Sequence, residues 1–505
     1  MPFTSDNRKW STWLQQFLIR WSLGVLAIGG LLRIIVYFQN RSLFLDEANL
    51  ALNIIEKSWP AFFHNLDYQQ YAPPLFLLLE KCSIQALGTH EMVFRFLPLA
   101  FSLIGLWLFY KLANHTLQIA YLRWIPVYLL ALSPMMIQYA SEIKQYSSDV
   151  FCTILLIYIG LCWPYSLLSP TKKIALGLLG ILVIWFSMPS VFILFGLGCY
   201  YFYQAYLDKG YTALFKFSPI VASWVISFGV YYFSILSEDL LKSYLVDYHR
   251  PYFLPLLPIN QEEWFSWFKV TSTLLRTSIG GTILAYFVGT LLFFAGIFSL
   301  FQKRKALLIL LVFPILATLV ASAFERYSLM PRLSLFLTPC ILLILGVGVE
   351  KYWQITNKRW IKVLGMLCLI LILSNWKGYQ YFWKKFSWED SREILAYTTK
   401  NAHSQDVIYL SHALIPAYRY YSEYHPDQAK FQFNQVYLAK WDDQASFWVS
   451  EQQNPAGLWL LFSHLINQSD QKEVGNQVEQ LQADYTLEKH FSAVGAAAFY
   501  LKKKK

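Results

Sequence analysis

The sequence predicts a mainly α, polytopic membrane helical bundle of about eleven spans. External amphipathic loop helices and a small C-terminal α/β soluble domain complete the expected architecture. Three observations carry this reading. Of the 505 residues, 56% are hydrophobic and only 14% charged, against about 25% charged in a soluble domain. That leaves too little polar surface to cover a particle in water, and the mean hydropathy of +0.37 agrees. Apolar runs approach the ~20 residues that cross a bilayer. Basic residues recur in alternate connections between those runs, as cytoplasmic loops do. Aromatics reach 18%, with 19 Trp and 34 Tyr, rings suited to the membrane–water interface.

The net charge of +11 sits in short clusters between apolar runs, the pattern of loops facing anionic lipid rather than of a nucleic-acid stripe. Membrane lipid is therefore an expected partner and nucleic acid is not. The six cysteines include no CxxC pair, so neither a zinc site nor a disulfide framework is implied.

The first span runs near Trp21–Phe38, preceded by Arg8, Lys9 and Arg20, which puts its N-terminus in the cytoplasm. No small-residue cleavage site follows, so it reads as an uncleaved anchor. Further spans fall near Val93–Leu112, Trp124–Tyr139, Ser147–Trp163, Ile174–Ser187, Ser190–Tyr206, Phe217–Ile235, Gly281–Phe301, Ala306–Ala323, Leu333–Val349 and Ile361–Ser374. With this count Lys111 and Arg123, Lys172 and Lys173, Lys209 and Lys216, Lys303 to Lys305, and Lys351 to Lys362 all fall inside. The connections 39–91, 140–146, 237–277 and 324–332 fall outside. Loops 39–91 and 237–277 are rich in Trp, Tyr, Phe and Pro and read as segments lying on the membrane.

The composition changes near Trp376. Residues 1–375 form the membrane part and 376–505 an external domain. Strand-like Val407–Leu410, Leu458–Phe462 and Ala497–Leu501 alternate with helix-like stretches, which argues a small α/β fold. The expected address is the cell (inner) membrane, multi-pass, with a cytoplasmic N-terminus and an external C-terminal domain expected to fold separately.

Chemistry-bearing residues gather in the external turns. Asp46 and Glu47 follow the first span closely. Ionised groups beside a bilayer are costly and often functional, although Asp46 also suits a cap for a helix over 47–55. Glu91 and Arg95 stand four residues apart and can pair on one helix face. Glu142, Lys144 and Tyr146 occupy the next external turn, where Lys144 can also snorkel. Arg326 and Arg332 occupy the last one, and Arg332 opens an apolar span on the side that disfavours positive charge.

The set Leu45-Asp46-Glu47-Ala48, Ala72-Pro73-Pro74, Glu91…Arg95…Leu97-Pro98, Ser133-Pro134…Glu142…Lys144…Tyr146 and Arg332…Phe336-Leu-Thr-Pro339 resembles the GT-C membrane glycosyltransferases. The likeness is to their bacterial branch related to protein O-mannosyltransferases and lipid A aminoarabinose transferases (glycosyltransferase family 39-like). It spans about residues 20 to 375 in order and topology. The resemblance implies transfer of a sugar from a polyprenyl-phosphate donor to an envelope glycan, lipid or protein acceptor at the external face, in one inverting step. It implies that Asp46, with Glu47 beside it, is the functional carboxylate. It places Lys144, Arg332 and Arg326 on the donor phosphate, with Glu91, Arg95, Glu142 and Tyr146 as further site candidates. No Asp-x-Asp metal motif occurs, so no cofactor is obligatory, while a divalent cation is compatible with the family. The alternative reading is a transporter or flippase of a lipid-linked or anionic substrate. Transporters show internal repeats, and no repeat is evident in this sequence.

Overall fold

The computed structural model describes residues 5–237, 247–280, 282–355, 365, 376–440, 443, 445 and 455–504. Its helices follow the apolar runs. They are α1 (Ser5–Phe38), α2 (Leu45–Glu56), α3 (Pro74–Leu87), α4 (Glu91–Thr116), α5 (Trp124–Ala131), α6 (Pro134–Gln138), α7 (Tyr146–Cys162), α8 (Pro170–Phe186), α9 (Ser190–Lys209) and α10 (Tyr211–Tyr231). Helices Ile283–Lys303, Lys305–Ala323 and Thr338–Ile355 complete the bundle, and the amphipathic helix Gln261–Ile279 lies in the expected external connection. Among the described residues seven helices are long and apolar enough to cross a bilayer. The expected span Ile361–Ser374 lies outside the described residues.

The run expected as one span over Trp124–Tyr139 is broken. Segments Ala120–Ala131 and Pro134–Ser141 meet at a 61° bend, at the Pro134 that cannot continue the preceding helix. Buried Arg33 of α1 staples this break. Its Nη1 donates to Ala131 O at 2.7 Å and its Nη2 to Leu130 O at 3.2 Å, taking up carbonyls left without intrahelical donors. Elsewhere the bundle closes on small residues. A Cβ on Gly348 would lie 1.8 Å from Leu292 O, and one on Gly296 would lie 2.0 Å from Ile344 O. Helices Ile283–Lys303 and Thr338–Ile355 therefore pack backbone to backbone, the contact that small residues permit in lipid.

The C-terminal part carries a five-stranded sheet of order β2-β1-β3-β5-β4, with β1 Val407–Leu410, β2 Val436–Leu438, β3 Gly457–Ser463, β4 Tyr485–Ala493 and β5 Ala496–Lys503. The pairs β1–β2 and β1–β3 are parallel, and β3–β5 and β4–β5 antiparallel. This region does not stand apart as the sequence suggests. Leu43, Leu50, Ile54, Phe76 and Phe94 share one continuous buried cluster with Ile394, Leu395, Leu414, Tyr420 and Trp459. The first connecting loop thus packs into one face of the domain's core, while the other face, around Leu458, Leu460, Val478 and Leu501, is built by the domain alone. Glu91 pins the joint: Arg392 Nη1 donates to it at 2.7 Å and the Tyr421 hydroxyl at 3.1 Å, and His425 Nε2 lies 3.1 Å away.

Candidate active site

A cavity of about 910 Å³ lies where the bundle, the first loop and the C-terminal domain meet. Asp46 reaches it from the first turn of α2. Phe44 precedes that helix and gives no side-chain cap, so Asp46 sits inside the helix rather than capping it. A carboxylate there still gains from the unpaired N–H groups of the helix N-terminus. Arg332 Nη1 donates to Asp46 Oδ2 at 3.3 Å, with both side chains about one-third exposed (28% and 31%). Lys144, from the turn before α7, is buried and does not snorkel. Its Nζ donates to Gln70 Oε1 at 2.6 Å. The Gln70 amide lies beside Asp46 in turn.

Electrostatics follow from this packing. Burial alone would raise the Asp46 carboxyl, but Lys144 and then Arg332 outweigh it and hold it below the usual carboxylate range. Burial lowers Lys144, and Asp46 opposes that. Glu142 lines the same cavity. Burial pushes its carboxyl up to about 8, against the pull of Arg41, and its Oε2 has no hydrogen-bond partner. Burial thus favours the protonated form, in which a carboxyl can donate a hydrogen bond. Tyr146 also lines the cavity and meets Tyr139 edge-on at 4.9 Å. Arg326 stands exposed at the rim.

Three expected site residues lie elsewhere. Glu47 does not face the cavity. It is fully buried, with Oε2 receiving Arg41 Nη1 at 2.5 Å and Arg95 Nη2 at 2.7 Å. Its Oε1 also receives the Ile143 N–H at 3.0 Å. Adjacent residues on a helix point about 100° apart, so only one of the two neighbouring carboxylates can enter the site. Glu47 instead ties the Asp46 helix to the Lys144 turn. Arg95 bonds Glu47 rather than Glu91, and Glu91 faces the C-terminal domain. Both hold the frame around the cavity.

Residues absent from the sequence-based expectation complete the wall. Gln70 follows Tyr68 and Gln69, two non-glycine residues at φ 58° and 54°, a conformation that persists where surroundings impose it. From the C-terminal domain come Trp388, Glu389, His412 and His464. Glu389 Oε1 lies 2.8 Å from His464 Nδ1. A lone histidine after a strand carries no local signal of such a role.

One group among the described residues has metal-ligand spacing, His90, Glu91 and His425. It does not fit an ion. The Nδ1 atoms of His90 and His425 accept the N–H groups of Met92 and Asp427, which leaves the proton on each Nε2. Arg392 already neutralises Glu91, and none of the three faces the cavity.

No protein-family model and no curated protein sequence matches the chain. Solved structures do match it. ArnT from Cupriavidus metallidurans bound to undecaprenyl phosphate superposes with a TM-score of 0.51 at 12% identity, covering 95% of this chain and 98% of that one. The apo state of the same protein gives 0.50 at 11% identity, covering 98% of each chain. Over nearly its whole length, including the C-terminal sheet, this polytopic chain has the fold of ArnT.

Proposed function

We propose that the protein is a membrane glycosyltransferase that moves a sugar from a polyprenyl-phosphate carrier to an envelope acceptor at the external face. The observation that carries this reading is the convergence of Lys144, Arg332 and Asp46 on one cavity at the loop-bearing end of the bundle. The solved structural neighbour bound to undecaprenyl phosphate supports the choice of donor. Arg332 and Lys144, with Arg326 at the rim, hold the phosphate and stabilise the charge that grows as it departs. Arg does so with two parallel bonds. Asp46 fixes these cations and orients the incoming hydroxyl, Glu142 donates to a substrate hydroxyl, and Tyr146 supplies an aromatic wall. One-step attack on the anomeric carbon inverts it.

Charged lining groups crowd one end of the bundle, which favours this reading over a transporter with a midplane site. The test is mass analysis of envelope glycolipids and glycoproteins from cells carrying the wild-type protein or Asp46→Asn. A sugar missing from one acceptor in the variant, with the protein inserted at normal levels, is the expected result. Identical profiles overturn the reading.

A further inference from the structure

We propose that His464, oriented by Glu389, is the base that takes the acceptor's proton. This inference rests on the glycosyl-transfer reading and assigns it a residue from the C-terminal domain.

The geometry is built from three segments held together. β3 ends at Ser463, and His464 follows at φ 64°, a left-handed conformation that is unfavourable for a non-glycine residue. Leu465 N donates to Gly495 O at 3.0 Å, and Asp390 N to Val494 O at 2.8 Å. Gly495, itself at φ 64°, sits so close that a Cβ would lie 2.4 Å from Trp388 O and 3.2 Å from Glu389 Cγ. Glu389 is thereby fixed and buried, with its side chain 1% exposed, while the His464 ring is 45% exposed and faces the cavity. Burial raises the Glu389 carboxyl, and the bond with His464 and the N–H of Leu45, the residue before Asp46, oppose that.

A buried carboxylate on Nδ1 holds the imidazole proton there and leaves the Nε2 lone pair to accept another. No hydrogen bond to Nε2 occurs among the described residues. The groups that face the ring are Glu389, Asp46 and Asp470, and His412 lines the same wall. The bond with Glu389 raises the imidazole above its ordinary value, burial opposing it. Asp46 is the weaker proton acceptor, because Lys144 and Arg332 hold it ionised.

In the step assigned here, the acceptor oxygen forms a bond to the anomeric carbon while the bond from that carbon to the phosphate oxygen breaks. The electron pair leaves with polyprenyl phosphate. The hydroxyl proton passes to His464 Nε2, and Glu389 stabilises the imidazolium. Water later removes the proton.

The test follows consumption of an undecaprenyl-phosphate-linked hexose by the full chain in vesicles of its own membranes, with undecaprenyl phosphate binding measured in parallel. His464→Asn tolerates the left-handed backbone and should lower turnover about 10²-fold or more, the range for a lost general base, with binding unchanged. The acidic limb of the pH–rate profile should disappear. Glu389→Gln should keep that limb but move it to lower pH. His464→Gly should recover turnover when free imidazole is added. A His464→Asn protein that keeps the acidic limb, or a His464→Gly protein that imidazole does not restore, overturns the assignment. A wild-type protein that neither binds the lipid phosphate nor consumes the donor overturns the glycosyl-transfer reading itself.

Discussion

Arg332 and Asp46 form an ion pair at 3.3 Å across 286 residues of chain, one in the turn that precedes helix Thr338–Ile355 and the other in the first turn of α2. Each is about one-third exposed to the cavity. A partly solvated pair of this kind adds little stability, typically about 0–1 kcal/mol. Its consequence is electrostatic: it sets a guanidinium and a carboxylate side by side where a phosphate and a sugar are proposed to meet.

Arg332→Ala should therefore weaken undecaprenyl phosphate binding with little change in thermal midpoint. Arg332→Lys should restore part of the affinity only, because an ammonium lacks the planar fork. Titration of purified protein with undecaprenyl phosphate checks both. Equal affinity in all three proteins would leave Arg332 without a role in phosphate binding.

Glu47 should behave in the opposite way. It is buried between Arg41 and Arg95, and breaking such a set costs about 3–5 kcal/mol, because charge is left buried and unpaired. Glu47→Gln should lower the thermal midpoint in detergent, and Arg95→Ala should do the same. The double variant should fall by less than the sum of the two, since the residues touch. Additive losses would count against one shared network.

These contrasts show what the sequence could tell. Most spans were legible because apolar runs of bilayer length announce themselves, while the break at Pro134 was not, since the apolar character continues across it. Asp46 drew attention because charge beside a bilayer needs a reason, and Lys144 and Arg332 through the family resemblance; the three line one cavity. The split between Asp46 and Glu47 was not, since the partners that bury Glu47 lie on the first loop and on α4 and only the fold brings them together. His464 and Glu389 were illegible for the same cause: 75 residues separate them, and neither stands in a recurring pattern. The domain boundary near Trp376 marked a change of composition, while the shared core of the first loop and the sheet depends on tertiary packing.

That shared core yields a third prediction. A fragment from Lys384 onward should be insoluble or bind an apolar dye, because it exposes the faces that meet Leu50, Phe76 and Phe94. Each large apolar side chain so exposed costs about 1.5–3 kcal/mol. Arg392→Ala in the full chain, which removes the guanidinium from Glu91, should increase protease sensitivity of the C-terminal part. A soluble fragment with a cooperative melt would show that the sheet is self-sufficient.

Topology gives a fourth. If the basic connections are cytoplasmic, reporters fused at Lys305 and at Gln471 should report opposite sides of the membrane. Reports from the same side would reverse the placement of the cavity and with it the proposed external reaction.

Glu142 gives the last. Its carboxyl stands at about 8 in the folded protein, raised by burial from an ordinary 4.5. The folded state thus holds this proton more tightly than the unfolded chain does. A raised value contributes stability that is fully present below about 4.5 and is lost as the pH climbs toward 8. Glu142→Gln is neutral at every pH and close in shape to the protonated acid. Wild type and variant should therefore melt alike near pH 4.5, and the variant should gain on the wild type as the pH rises to about 8. Above that the difference should stay constant. Thermal denaturation of both proteins between pH 4.5 and 9 reads this directly. A constant offset across the range would mean that Glu142 is ionised in the folded protein, and its role as a neutral donor to a substrate hydroxyl would fall with it.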